Sequence, residues 1–247
     1  MVTGGSGGLG RAVCAGLTAE EAAVAVVDVD AEAVHLTVEG LRRAGGRAEG
    51  YLVDVRDRAE VEQLMATIHT DLGAPQVLVN LAGGSLGTPR DLAEIETEHL
   101  DLVLDVNVKG TFYCCQAAVP HMVAAGGGAI VNTSSIGGRQ PSPVTGVPYA
   151  AAKAAIVGLT KRLAREVGPR GVRVNAIAPG LFLTDRLQGM FDAMADAERQ
   201  EVIDAIPLHR MPELREAVDP VLFLASHESS YITGAVLDVN GGRFMPL

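Results

Sequence analysis

The chain has no tryptophan, and only three cysteines and three lysines among 247 residues. Cys14, Cys114 and Cys115 show no Cys-x-x-Cys or Cys/His spacing, so neither a disulfide framework nor a zinc cluster is expected. The six histidines are scattered without ligand spacing, and a reducing cytoplasm is the expected setting. No apolar run approaches the ~20 residues of a spanning helix, and the glycine-rich start lacks the pattern of a signal peptide, so no membrane partner is expected. Acidic residues outnumber basic ones 30 to 20, for a formal charge of -10 and a pI near 5.0. That balance repels a phosphate backbone and argues against nucleic acid as a partner.

What the chain does have is apolar material, 48% of its residues, enough for the core of one α/β domain spanning 1–247. Short β-branched runs alternate with longer Ala/Leu-rich segments, the pattern of a doubly wound parallel sheet covered by helices on both faces, a Rossmann fold. Strands are expected at Ala23–Asp28, Arg47–Val53, Val77–Asn80, Ala129–Asn132, Val172–Ala178 and Val236–Val239. Helical patterns cover about 9–20, 31–44, 57–72, 97–125, 148–168 and 213–226. The segment 181–212 breaks the alternation with Gly, Met, Phe and charged residues, and is expected to form a substrate lid. Only Met1 and Val2 precede the glycine-rich loop, where a first strand of about five residues belongs. A truncated first strand is therefore expected, with unpaired groups on its neighbours and an upstream start as one explanation.

Thr3-Gly-Gly-Ser-Gly-Gly-Leu-Gly10 leads into an apolar helix. Glycines let the backbone approach a pyrophosphate, while the helix N-terminus supplies N–H donors and the positive end of its dipole. An acidic residue about 20 positions on, at the end of the next strand, suits the adenosine ribose. Asp28 meets this requirement and its carboxylate would repel a 2′-phosphate. Asp30, the neighbouring alternative, suits the cap of the following helix. No Arg or Lys stands within the loop or directly after Asp28, so NAD is expected over NADP.

Tyr149 and Lys153 lie four residues apart in a helix-forming stretch and so share one face. In a chain that otherwise favours arginine, the lysine supplies a compact charge beside a phenol. A nearby cation favours the phenolate, drawing a tyrosine from its usual pKa of about 10 toward use as an acid/base.

With the glycine loop, Asn80-Leu-Ala-Gly83, Asn107, Asn132-Thr-Ser-Ser135, Tyr149-x-x-x-Lys153 and Asn175 through Pro179-Gly180 to Thr184, the whole chain resembles the short-chain dehydrogenase/reductase family. Leu81 departs from the second Asn of the family segment. The resemblance implies hydride transfer between NAD(H) and a secondary alcohol or ketone. Tyr149 would exchange the hydroxyl proton, Ser135 orient the oxygen, and Lys153 serve both Tyr149 and the nicotinamide ribose. Asn107 would hold a helix distortion and a water. It also implies a cofactor site of Thr3, Gly4, Gly8, Leu9, Gly10, Asp28, Asp54, Val55, Asn80, Ala82, Gly83, Pro179, Gly180 and Thr184, joined by Tyr149 and Lys153, with Asp54 toward the adenine. A homo-oligomer, tetramer or dimer, follows by the same analogy. Ser134 stays open as the catalytic serine, because the interval to Tyr149 is one residue longer than usual, a length the Pro/Gly-rich stretch 137–148 can loop out.

Other readings are a silent nucleotide-binding regulator on the same fold, which should lack the Tyr or Lys, and a longer-chain epimerase or dehydratase, which should add a substrate domain. A P-loop phosphotransferase fails for want of Lys-Ser/Thr after the glycines. The expected substrate walls, 84–89, 137–147 and 181–211, are apolar, with Arg139, Gln140 and His209 as polar groups and no charge clamp. Neutral secondary alcohols, sugars, steroid-like alcohols and 3-oxoacyl thioesters all remain open.

Overall fold

A computed structural model of the chain describes residues 1–142 and 144–246. The side chains of residues 185–187 and 190, in the expected lid, lie outside the described set, as does Pro143 of the expected loop-out.

The strands are β1 (Val2–Thr3), β2 (Val24–Asp28), β3 (Ala48–Leu52), β4 (Val77–Asn80), β5 (Gly128–Thr133), β6 (Val172–Pro179) and β7 (Val236–Val239). They form a parallel sheet in the order β3-β2-β1-β4-β5-β6-β7. Between them run α1 (Gly8–Ala19), α2 (Ala31–Arg43), α3 (Arg58–Leu72), α4 (Thr97–Leu104), α5 (Gly110–Ala124) and α6 (Val147–Val167). The remaining helices are α7 (Asp185–Asp192), α8 (Asp196–Asp204) and α9 (Arg215–Ala225). The strand order reverses between β1 and β4, so the crevice beyond their C-terminal ends is where a ligand fits such a sheet.

Burial on both faces explains the unbroken apolar runs. Val26, Val79 and Val131 pack on one face, against α1, α2 and α9; Val27, Leu78 and Ile130 pack on the other, where Leu64 of α3 and Cys114 of α5 belong to the same cluster. Helix starts follow their caps. Asp30 accepts from Ala33 N at 3.0 Å, and Asp57 accepts from Ala59 N and Glu60 N at 2.8 and 3.1 Å. Among the described residues, no helix is long and apolar enough to cross a membrane.

One expectation needs correction. β1 is short, two residues, yet it stands in register between Val26–Val27 and Val79–Asn80. Met1 N donates to Val77 O, while Val79 N and Leu81 N donate to Met1 O and Thr3 O at 2.9 and 3.1 Å. These groups of β4 are therefore paired rather than orphaned. The helix expected over 97–125 carries a π-helical turn at Asp105–Lys109, a distortion of the kind expected at Asn107. The segment 181–212, which breaks the alternation, contains α7 and α8.

Candidate active site

The glycine loop between β1 and α1 is shaped by contacts that leave no room for side chains. Gly4 has φ +64°, and a Cβ there would lie 2.7 Å from Ala82 N; at Gly10 it would lie 2.0 Å from Gly4 O. The N-cap of α1, Gly7, has no side-chain cap, so the first N–H groups of the helix face a cleft of about 720 Å³. This cradle and the uncapped helix end fit a pyrophosphate. At the end of β2, Asp28 Oδ2 accepts from Ser6 N at 3.1 Å and Ser6 Oγ at 2.6 Å, and Oδ1 accepts from Val29 N at 2.8 Å. Its carboxylate is thus fixed on the cleft wall, with a lone pair of Oδ1 left for a ribose hydroxyl.

Of the residues expected to hold the cofactor, Gly4, Gly8, Leu9, Gly10, Asp28, Asp54, Val55, Ala82, Gly83, Tyr149, Lys153 and Thr184 line this cleft. Thr3, Asn80, Pro179 and Gly180 do not. Thr3 is buried, with Oγ1 accepting from Ala82 N at 3.2 Å, and Asn80 is buried with Nδ2 donating to Asn132 Oδ1 at 2.9 Å. Both brace the loops beside the cleft through their side chains. Pro179 ends β6 in the core, and Gly180 opens onto the neighbouring cavity. Asp54 is engaged by Arg56, whose Nε and Nη2 reach its carboxylate at 2.9 and 2.6 Å and hold it below the usual carboxylate range.

Sequence reasoning missed Ser6, Arg11 and Arg56, which also line the cleft. Ser6, the one polar residue among loop glycines, carried a readable signal. Arg56 was readable only as a neighbour of Asp54.

The second cavity, about 460 Å³, meets the first at Gly84 and Tyr149. Ser135 lines it, and its Oγ accepts from Gly137 N at 3.1 Å. Ser134 is buried and donates to Lys153 O at 2.7 Å, which leaves Ser135 as the serine facing Tyr149's cavity. On α6, Lys153 Nζ lies 5.7 Å from the Tyr149 ring centroid and donates to Thr133 O at 2.9 Å. Burial at 4% exposure pushes the Lys153 ammonium down to about 8.

Asn107 lies in the π-helical turn and is fully buried. Its Nδ2 donates to Gly84 O and Val103 O, both at 2.9 Å, and its Oδ1 accepts from Gly84 N at 3.0 Å. The side chain thereby ties the distorted helix to the loop after β4. A Cβ at Gly83 would lie 2.4 Å from Asn107 Oδ1 and 3.3 Å from Lys153 Nζ. Asn107 and Lys153 therefore converge under this glycine.

The expected substrate walls need one correction. Gln140 lines the second cavity, but Arg139 turns away to pair with Asp238 at 3.0 Å, and His209 lies elsewhere, 3.9 Å from Asp204. Arg90 and Arg243, absent from the expectation, line it instead.

The family model described as enoyl-(acyl carrier protein) reductase matches residues 4–243. The 3-oxoacyl-[acyl-carrier-protein] reductase of Staphylococcus aureus is 37% identical over 99% of this chain and 97% of its own length. The short-chain reductase NovJ of Streptomyces niveus is 40% identical over 98% of this chain and 92% of its own. A 3-oxoacyl-[acyl-carrier protein] reductase from Brucella melitensis, solved with bound NAD, superposes with a TM-score of 0.88 at 37% identity, covering 99% of this chain and 90% of that one. The chain belongs to the short-chain dehydrogenase/reductase family of oxidoreductases.

Proposed function

We propose that this oxidoreductase uses NAD in preference to NADP to interconvert a secondary alcohol and its ketone, with Tyr149 as the acid/base. The observation that carries the reading is the position of Tyr149, which lines both the glycine-loop cleft and the adjoining cavity that contains Ser135. Bound NAD supplies the hydride acceptor or, reduced, the donor. The glycine cradle, Asp28, Ala82, Gly83, Lys153 and Thr184 would hold it. Asp28 carries the preference for NAD, since its carboxylate opposes a 2′-phosphate.

The other roles belong to the chain's own side chains. Tyr149 takes or returns the hydroxyl proton, and Ser135 donates a hydrogen bond to the substrate oxygen and fixes its orientation. The Lys153 ammonium favours the phenolate form of Tyr149, and Asn107 positions Gly84 and the floor beneath Lys153. The segment 181–212 covers the cavity, to which it contributes Leu181, Leu183, Phe191 and Met194 as apolar wall. The same reading includes a reducing cytoplasm, in keeping with three free, buried cysteines, and a homo-oligomer.

The test is a cofactor-linked screen over neutral secondary alcohols, sugars, steroid-like alcohols and 3-oxoacyl thioesters, with each nucleotide. Turnover favouring NAD at least about tenfold, equivalent to about 1.4 kcal/mol, is expected. Equal use of NADP contradicts the role given to Asp28.

A further inference from the structure

The cavity beside Tyr149 has an unusual charge balance for this protein. Acids outnumber bases 30 to 20 in the chain, yet among the described residues the charged groups lining this cavity are two arginines, Arg90 and Arg243, and no carboxylate. Neither guanidinium takes part in an ion pair among the described residues, whereas nearby pairs are already matched, Arg139 with Asp238 and Arg210 with Glu216. Two guanidiniums with no ion-pair partner among the described residues, at one small, mostly apolar cavity, make a positive field that the surrounding low-dielectric walls concentrate.

Both arginines stand on braced backbone. Arg243 sits on the turn after β7, where Asn240 Oδ1 accepts from Gly242 N at 3.0 Å and Phe244 N at 3.3 Å, gripping the chain on either side of it. Arg90 follows Pro89, whose carbonyl oxygen would lie 2.6 Å from a Cβ on Gly146, with Arg90 Cα 3.4 Å away. Gly146 is the N-cap of α6, has no side-chain cap and lines the cavity, so the positive end of the Tyr149 helix adds to the same field.

We propose that the substrate is a compact hydroxy acid or oxo acid, its carboxylate held by Arg243 and Arg90 while its alcohol or ketone carbon lies at Tyr149. This rests on the proposed oxidoreductase reading and names its substrate class. A guanidinium pairs with a carboxylate through two parallel hydrogen bonds, which fixes orientation as well as charge. A cavity of about 460 Å³ suits a small acid. A thioester on a long phosphorylated carrier arm also presents an anion, so the test separates the two.

The experiment compares straight-chain C4 to C8 hydroxy acids with their methyl esters, and adds 3-oxobutyryl-CoA as the thioester. Steady-state turnover is measured with NAD, or with NADH for the thioester. Calorimetry on the NAD complex, in which ketone and nucleotide are both oxidised and no hydride can pass, measures acetoacetate against acetoacetamide, a readout that needs no turnover. The expected result is at least about tenfold higher kcat/KM for some acid than for its ester, and tighter binding of acetoacetate than of its amide. Arg243→Gln and, separately, the exposed Arg90→Gln should lower the acid-to-ester ratio at least about tenfold and weaken acetoacetate more than the amide, with Arg243→Lys recovering part of the loss. Esters matching the acids, the CoA thioester surpassing every acid, or equal binding of acetoacetate and amide overturns the proposal. Ester turnover without acid preference overturns it while sparing the oxidoreductase reading. Acetoacetate selectivity without turnover of any alcohol supports the anion site and sinks the oxidoreductase reading.

Discussion

The two cavities that meet at Tyr149 are built in different ways. The cofactor cleft is assembled from the ends of consecutive strands, with the glycine loop after β1, Asp28 at the end of β2, Asp54 after β3 and Ala82–Gly83 after β4. The substrate cavity is assembled from loops far apart in the chain, with Arg90, Ser135, Gly146, Leu181 and Arg243 brought together only by the fold. A strand-end site is constrained by backbone geometry, which sequence motifs record. A site made from loops records its chemistry only in three dimensions.

Lys153 lines the cofactor cleft one helical turn from Tyr149, where the two halves meet, and gives the largest expected effects. Lys153→Met should cut turnover at least about a hundredfold and weaken NAD binding together. A rate defect with normal NAD affinity would break its link to the cofactor cleft. The same residue sets a pH dependence. Its folded pKa of about 8 lies below the ordinary 10.5, so between these values the folded state binds fewer protons than the unfolded state, and stability rises with pH. The stability advantage of Lys153→Met over wild type, both without cofactor, should therefore shrink by up to about 3 kcal/mol from pH 7 to pH 11. A constant difference in denaturation midpoints across that range contradicts the buried ammonium.

Asn107→Leu tests the joint between the two halves. It strands the N–H and C=O of Gly84, and about 2 kcal/mol of stability should be lost in denaturant titrations. Unchanged stability would mean that water replaces the amide.

The smallest effect is confined to the cofactor cleft. Asp28→Ala with Val29→Arg removes the carboxylate and supplies a guanidinium, and should shift preference toward NADP by about tenfold or more, about 1.4 kcal/mol. Competition kinetics showing unchanged preference would place the selectivity elsewhere, with Arg11 or Arg56 the next residues to vary.

The cofactor half was legible for physical reasons. Buried parallel strands must be apolar on both faces, so Ala23–Asp28 and Val77–Asn80 stood out as unbroken runs, close to β2 and β4. Asp30 marked a helix start because a short carboxylate satisfies free N–H groups. Other features escaped. The helical pattern over 97–125 did not separate α4 from α5, since α5 is apolar nearly all round and offers no clear phase to lose at the π-helical turn that Asn107 holds. The motif residue Asn80 does not line the cleft, and the bond from its Nδ2 to Asn132 had no signal in the sequence. Arg90 and Arg243 had no signal in the sequence, because their meeting at one cavity depends on the turn after β7 and the packing of Gly146 against Pro89.

The central claim is that Tyr149 does the proton chemistry where the two cavities join, and Tyr149→Phe tests it most directly because the ring is kept and only the hydroxyl is lost. NADH affinity by fluorescence titration and single-turnover oxidation of the best alcohol from the screen should be measured on the same preparation. The account predicts NADH affinity within about twofold of wild type, with turnover reduced at least about a hundredfold. Near wild-type turnover in that variant, with nucleotide bound normally, would contradict it.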